Sequence, residues 1–117
     1  MKKIKHKRSP CPVACTLDLI GDKWTLLLIR DMLFGKRYYK DFCQSPEKIA
    51  TNILADRLGK LVEIGMVEKW VPDADLGREA YRLTTKGKSL RSVLESVAKW
   101  GLSNIEGTEA KLMSKGR

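Results

Sequence analysis

Histidine is almost missing from this chain: His6 is the only one in 117 residues. A lone histidine in a charged N-terminal run leaves no histidine-based catalytic triad. A phosphate-cradling loop of the GxxxxGK type is also absent. With no acid, base and nucleophile set in view, an enzyme is not expected. Cysteine is scarce and odd in number. Cys11, Cys15 and Cys43 do not make a disulfide framework, and the Cys11/Cys15 pair has no second ligand pair to complete a zinc site. No cofactor and no metal are therefore expected. No apolar run reaches the roughly 18 residues that a membrane span needs. The opening MKKIKHKRSPCPVACTLDLIG starts basic, as a signal peptide does, but Pro10, Pro12 and Asp18 interrupt any apolar core. It reads as mature cytoplasmic sequence. Repeats and low-complexity segments are lacking.

Acidic residues are the other shortage. Fourteen Asp and Glu face 23 Lys and Arg, a net charge of +9, and the pI is near 9.6. Lys2, Lys3, Lys5, Lys7 and Arg8 concentrate part of that excess at one end. A basic excess in a small domain favours a polyanionic partner, nucleic acid before an anionic membrane. A tail that only aids solubility is the plainer alternative. The length is that of one domain. It divides into a basic flexible arm over 1–9, a domain over 10–105 and a tail over 106–117.

What is present is a chain of helix signals interrupted by one pair of strand signals. Pro12 suits the first turn of a helix that runs to Ile20 and stops at Gly21. Asp22 can cap the next helix, DKWTLLLIRDMLFG, which is apolar around most of its circumference and so belongs at the centre. A short helix over Tyr38–Gln44, with Tyr39 and Phe42 pointing inward, breaks at Ser45-Pro46. A second starts near Thr51 and runs to about Ile64. Leu54, Leu58, Leu61 and Val62 share its inner face, and Thr51, Asn52, Ala55, Asp56, Gly59 and Glu63 lie opposite. Stretches 66–71 and 78–83 alternate like strands around a Pro/Asp/Gly turn and predict a β-hairpin. Thr84 or Thr85 then caps a single long helix from about Lys86. Its stripe runs through Leu90, Val93, Leu94, Val97, Ala98, Gly101 and Ile105, beside Trp100. Part of that stripe has nothing left in so small a chain to pack on, which points to a second subunit. The expected fold is mainly α with a small β-hairpin: a winged helix-turn-helix whose dimer is formed by its N- and C-terminal helices.

In this fold the first turns of the second helix meet the major groove. Asn52 can bond adenine N6 and N7. Thr51 can hold a phosphate or touch a thymine methyl. Ala55 lets the helix sink inward, and Asp56 can accept from cytosine N4 or enforce register against phosphate. Lys60 completes that face. Gly59 costs the helix about 1 kcal/mol against alanine, a cost that close backbone approach would explain. Arg57 has an internal salt bridge and a phosphate contact as equal options. Lys36, Arg37, Tyr38 and Lys40, with Arg78 in the wing turn, are candidates for holding the backbone. Val97, Trp100, Gly101 and Ile105 are the candidate dimer contacts. Cys11 stands after a cationic run and at a helix start, both of which favour thiolate. It is a candidate redox or electrophile sensor, with a buried structural thiol as the alternative. Cys15 and Cys43 read as core residues.

Several of these residues stand together in a known pattern. Cys11-Pro12-Val13, the run Leu17 to Leu27 with Gly21-Asp22-Lys23-Trp24, and then Leu33 and Gly35 resemble the opening of the HxlR-type regulators. These are bacterial winged-helix transcription factors related to the MarR group. The similarity continues through Asn52–Leu61 with Arg57-Leu58, Gly65-Met66-Val67, Tyr81 to Gly87 and Trp100-Gly101. It implies a homodimeric regulator of double-stranded DNA. In some members the cysteine of the Cys-Pro opening senses oxidants or electrophiles, and Cys11 occupies that place. Three departures fall near the reading head. Ala50 stands where Ser is usual, leaving Thr51 to take over capping; Asp22 replaces Gly; Tyr38-Tyr39 replaces Arg-Phe. The combined expectation is a cytoplasmic, homodimeric, sequence-specific regulator that responds to an oxidant through Cys11. A regulator answering a small molecule, or a winged helix that binds protein, are the alternatives.

Overall fold

The computed structural model describes residues 3–5, 7–72 and 77–110. Helix α1 spans Pro12–Ile20, with Cys11 at the N-cap position and Pro12 in the first turn. Its C-terminal neighbour Gly21 bonds back to the Leu17 carbonyl at 2.7 Å. Gly21 is in ordinary right-handed space. Glycine is wanted there because a Cβ would run into that same carbonyl.

Helix α2, Thr25–Leu33, starts later than the sequence suggests, since Asp22 caps it from outside. The Asp22 carboxylate accepts from the N–H groups of Trp24 and Thr25 at 3.0 and 3.1 Å, and from the Thr25 hydroxyl at 2.5 Å. α2 lies at the centre, as its apolar circumference predicts, yet it also buries Arg30 and Asp31. Helix α3 is Tyr39–Cys43 and helix α4 is Thr51–Glu63. Leu54, Leu58 and Leu61 of α4 are buried against Phe42, Ile29 and Val67. α4 ends on Gly65, whose φ of +81° favours glycine. The Met66 N–H then bonds the Leu61 carbonyl at 2.9 Å, which satisfies the end of the helix.

Strands β1 (Val67–Trp70) and β2 (Ala80–Leu83) pair antiparallel, Val67 with Leu83 and Trp70 with Ala80. The expected turn over 72–77 falls mostly on 73–76, outside the described residues. A third segment joins the hairpin: the Tyr81 N–H donates to the Arg37 carbonyl at 2.7 Å. This ties the chain just before α3 to the wing.

The single long helix expected after Thr84 is two. Helix α5 covers Thr85–Lys88 and helix α6 covers Arg91–Asn104. Between them the Ser89 and Leu90 N–H groups bond carbonyls three residues back, those of Lys86 and Gly87, and tighten the turn. Gly87 is pressed against the Met66 carbonyl so closely that a Cβ would collide with it. Thr84 holds this junction by accepting from the Gly87 N–H at 3.2 Å and donating to the Gly65 carbonyl at 2.6 Å. Gly87→Ala is accordingly expected to cost about 1–3 kcal/mol through overpacking against backbone. A urea melt reads this directly, and an unchanged midpoint would contradict it.

Candidate nucleic-acid interface

α3, the turn after it and α4 form the helix pair, and three sets of contacts fix how α4 is presented. The first is at its leading end. Ala50 occupies the N-cap position without any side-chain cap. Thr51 does not take over capping as expected; instead its carbonyl accepts a 2.6 Å bond from the Tyr39 hydroxyl of α3.

The second set runs from α4 to α2. Arg57 Nε donates to Asp22 at 2.9 Å, and the guanidinium also bonds Asp56. Of the two options left open by the sequence, the internal salt bridge is the one formed. Burial pushes the Asp22 carboxyl up, but the hydrogen bonds from Thr25, Arg57 and the two backbone N–H groups outweigh it and hold the pKa at about 2. Asp22, a departure from the family pattern, thus both caps α2 and anchors α4.

The third set lies beneath the turn. Arg30, 6% exposed, makes a two-pronged contact with Glu47, Nη1 to Oε2 at 2.9 Å and Nη2 to Oε1 at 2.8 Å. It also bonds Asp31, which is 4% exposed, at 2.9 and 3.0 Å. Asp31 in turn accepts from the buried Ser45 hydroxyl, and Lys36 donates to Ser45 at 2.9 Å. The residues from Ser45 to Glu47 are therefore clamped to the central helix. Sequence reasoning missed this cluster, which has no periodic signature.

With α4 so held, its outward face carries Thr51, Asn52, Ala55, Asp56, Gly59 and Lys60, all exposed. Lys60 sits 3.6 Å from Asp56. Nothing lies within 4 Å of where a Gly59 Cβ would be, so packing within the chain does not explain that glycine.

The expected backbone-holding residues divide. Arg37 and Lys40 are exposed beside α3. Lys36 is half-buried, with its ammonium turned to Ser45 and Asp31. Tyr38 is flanked by two guanidiniums, Arg78 at 3.8 Å and Arg37 at 5.3 Å from its ring centre. Arg78 therefore rests on Tyr38, linking the base of the wing to the start of α3.

Away from this face, Cys11 is exposed at the head of α1. Its N–H bonds the Ser9 hydroxyl at 3.1 Å. The Cys15 thiol points to the Ser9 carbonyl at 2.8 Å, and Cys43 packs against the core. Arg8 is not free: it forms a 2.7 Å ion pair with Asp18 of α1. Val97 and Trp100 are 52% and 65% exposed, Ile105 is exposed and Gly101 half-buried. Val97 shares a cleft of about 370 Å³ with Val93 of α6 and with Val13 and Leu17 of α1. Among the described residues no His, Cys, Asp and Glu cluster could hold a metal ion, and no helix is long and apolar enough to cross a membrane.

The profile of the HxlR-like helix-turn-helix family matches residues 19–109. The chain belongs to the HxlR family. YybR of Bacillus subtilis, an uncharacterized HTH-type transcriptional regulator, is 31% identical over 109 residues, which cover 93% of this chain and 87% of YybR. Among solved structures, PA1607, described as a candidate transcription factor, is 39% identical with a TM-score of 0.78. That match covers 89% of this chain and 72% of PA1607. The redox regulator HypR in its reduced form is 31% identical with a TM-score of 0.74, covering 82% of this chain and 95% of HypR. This HxlR-family chain is thus a transcriptional regulator with a winged helix-turn-helix, a class that is not enzymatic. The Asp22–Arg57 link ties α4 to the segment before α2, and the cluster around Arg30 ties the turn before α4 to α2.

Proposed function

We propose that this regulator binds double-stranded DNA sequence-specifically as a cytoplasmic homodimer, and that oxidation of Cys11 alters that binding. The observation that carries the first part is the leading face of α4. Asn52 and Thr51 project there from a helix braced on three sides, next to the small side chain of Ala55. An exposed amide in the first turn suits a two-bond contact to adenine. Gly59 has open space around it and lets backbone approach backbone. Arg37, Lys40 and the arm supply attraction that α4, with its Asp56–Arg57 and Asp56–Lys60 pairs, largely lacks. Two protomers would read a roughly palindromic site with half-sites about one helical turn apart, or a multiple of it.

Asn52→Ala is expected to relax the preference at one base position by about 1–3 kcal/mol. Selection of bound sequences from random duplexes measures it, and an identical consensus for both proteins would rule the contact out. Binding should also weaken steeply with salt, by about 10³-fold or more between 50 and 200 mM if each protomer makes several phosphate contacts. A protein-binding module would show little such dependence.

Redox response rests on the position and exposure of Cys11, at the same Cys-Pro opening the sequence marks, and on the likeness to HypR, solved in reduced and oxidised forms. Cys11→Ser should bind DNA as the unmodified protein does and lose any response to diamide. A mutant that still releases or gains DNA on diamide treatment would place the sensor elsewhere.

A further inference from the structure

Two thiols meet at the start of α1, and the redox reading above uses only one of them. Cys11 is exposed at the N-cap position, in extended backbone with φ −67° and ψ 123°, and its side chain makes no capping hydrogen bond. Cys15 stands one turn on: its N–H donates to the Cys11 carbonyl at 2.9 Å. Residues so spaced share a helix face with Cβ atoms about 5–6 Å apart, and a disulfide needs about 3.5–4.5 Å. The gap to close is thus about 1–2 Å, and it lies at the helix end, where the backbone can give. Helical side chains lean toward the N-terminus, which directs Cys15 back over Cys11. The contacts to Ser9 agree with this direction. The Ser9 carbonyl accepts from the Cys15 thiol at 2.8 Å, and its hydroxyl accepts from the Cys11 N–H at 3.1 Å. Cys43, at the end of α3, packs against the core instead.

We infer that Cys15 is the resolving thiol for Cys11, and that a two-electron oxidant closes an intrachain disulfide between them across the first turn of α1. With a diazene such as diamide, the Cys11 sulfur adds as thiolate to one nitrogen of the N=N bond, and the other nitrogen takes up the proton that Cys11 gave. The Cys15 sulfur then attacks the Cys11 sulfur. The S–N bond breaks, and the Cys15 proton goes to the departing nitrogen. Two thiols have become a disulfide and the diazene a hydrazine. The product has no S–H, so the Ser9 carbonyl loses its donor. Ser9 is next to Arg8, whose guanidinium ties the arm to Asp18 at 2.7 Å. Closure therefore loosens the root of the basic arm, a segment that supplies attraction for DNA in the reading above. The effect on DNA rests on that reading; the pairing of the thiols does not.

Both thiols fall in one tryptic peptide, Ser9–Lys23. The full chain is oxidised with diamide, alkylated in denaturant and digested. The expected product is Ser9–Lys23 without alkylation and lighter by a pair of hydrogens, with Cys43 alkylated and the chain still single on a non-reducing gel. Dithiothreitol should restore both thiols. Cys15→Ser should lose the product and leave Cys11 alone as the modified residue, and Cys15→Ala should do the same, with circular dichroism checking that each folds. In the native oxidised chain, trypsin should cleave after Arg8 severalfold faster. A chain-to-chain disulfide, a Cys11–Cys43 pair, or Cys11 oxidised while Cys15 still alkylates would overturn the inference. An unchanged cleavage rate after Arg8 would overturn its link to the arm. If the looped peptide forms while duplex affinity stays constant, the pairing holds and only the proposed redox control fails. If affinity changes with no looped peptide, the control holds and the pairing falls.

Discussion

Arg30→Ala is expected to destabilise the protein by about 3–5 kcal/mol, more than any surface charge substitution in the chain. The reason is what stays behind. Asp31 is 4% exposed and has Arg30 as its nearest cation, with Lys36 only at 4.0 Å. Removing the guanidinium leaves a buried carboxylate with the Ser45 hydroxyl as its main remaining hydrogen-bond donor. Glu47 loses both prongs of its contact at once. The Arg30 hydrogen bonds are the largest influence on the Glu47 carboxyl and hold it below its ordinary value of 4.5, against a burial effect that works the other way. A depressed carboxylate contributes stability above its unfolded pKa and loses it as pH falls through the folded one. The deficit of the variant should therefore be full at neutral pH and narrow on acidification below about pH 4.5. Urea melts at pH 7 and pH 4 read both effects. A loss under about 1 kcal/mol at pH 7, the scale of an exposed pair, would show that the cluster does not hold the turn. The same substitution frees the Ser45–Glu47 turn that leads into α4. DNA affinity is then expected to fall even at temperatures where the variant remains folded.

The clamp also marks where sequence reasoning reaches its limit. The inner face of α4 was legible, because Leu54, Leu58 and Leu61 recur at helical spacing and all three are buried. The same periodicity left Thr51, Asn52, Ala55 and Asp56 outside, where the structure has them. The hairpin was legible from alternation, and its strands fall within two residues of the expected ends. These are local properties. Arg30 and Glu47 are 17 residues apart and Arg57 and Asp22 are 35 apart. No local rule pairs them. Arg30-Asp31 lies within an apolar helix, and the fold turns it inward onto the turn. The break between α5 and α6 is of the same kind. Thr84 was a legible cap, but the Met66 carbonyl that leaves room only for glycine at 87 is brought there by the folded chain alone.

Charge patterning shows a related shift. Lys36 and Arg78 look like free cations at the edge of a reading head. In the fold one is tied to Ser45 and Asp31, and the other lies on the Tyr38 ring. The Tyr38-Tyr39 departure from the family pattern has a structural use. Tyr38 receives Arg78 from the wing, and Tyr39 bonds the first turn of α4. The two tyrosines connect wing, α3 and α4, so this departure bears on how α4 is held.

If the protein is the homodimer proposed above, Val97→Glu should turn it into a monomer and lower DNA affinity by about 10²–10⁴-fold, the range in which linked binding exceeds single-site binding. Val97 is 52% exposed and Trp100 65%, on a helix whose Leu94 alone is buried. Val13 and Leu17 of α1 bring further exposed apolar surface to the same side. A two-fold interface repeats each contact, so one substitution places two carboxylates in it. An unpaired carboxylate taken out of water costs several kcal/mol after relaxation, enough to offset the apolar burial that Val97 and its neighbours would supply. The isolated protomer should tolerate the change, since the side chain already faces water. Sedimentation velocity measures the mass, circular dichroism the fold, and a duplex with two half-sites the affinity. A folded variant that stays dimeric would move the interface off α6. A monomeric unmodified protein would remove the basis for a palindromic site. Loss of the dimer with affinity unchanged would mean that one reading head is sufficient, and that the second half-site adds nothing.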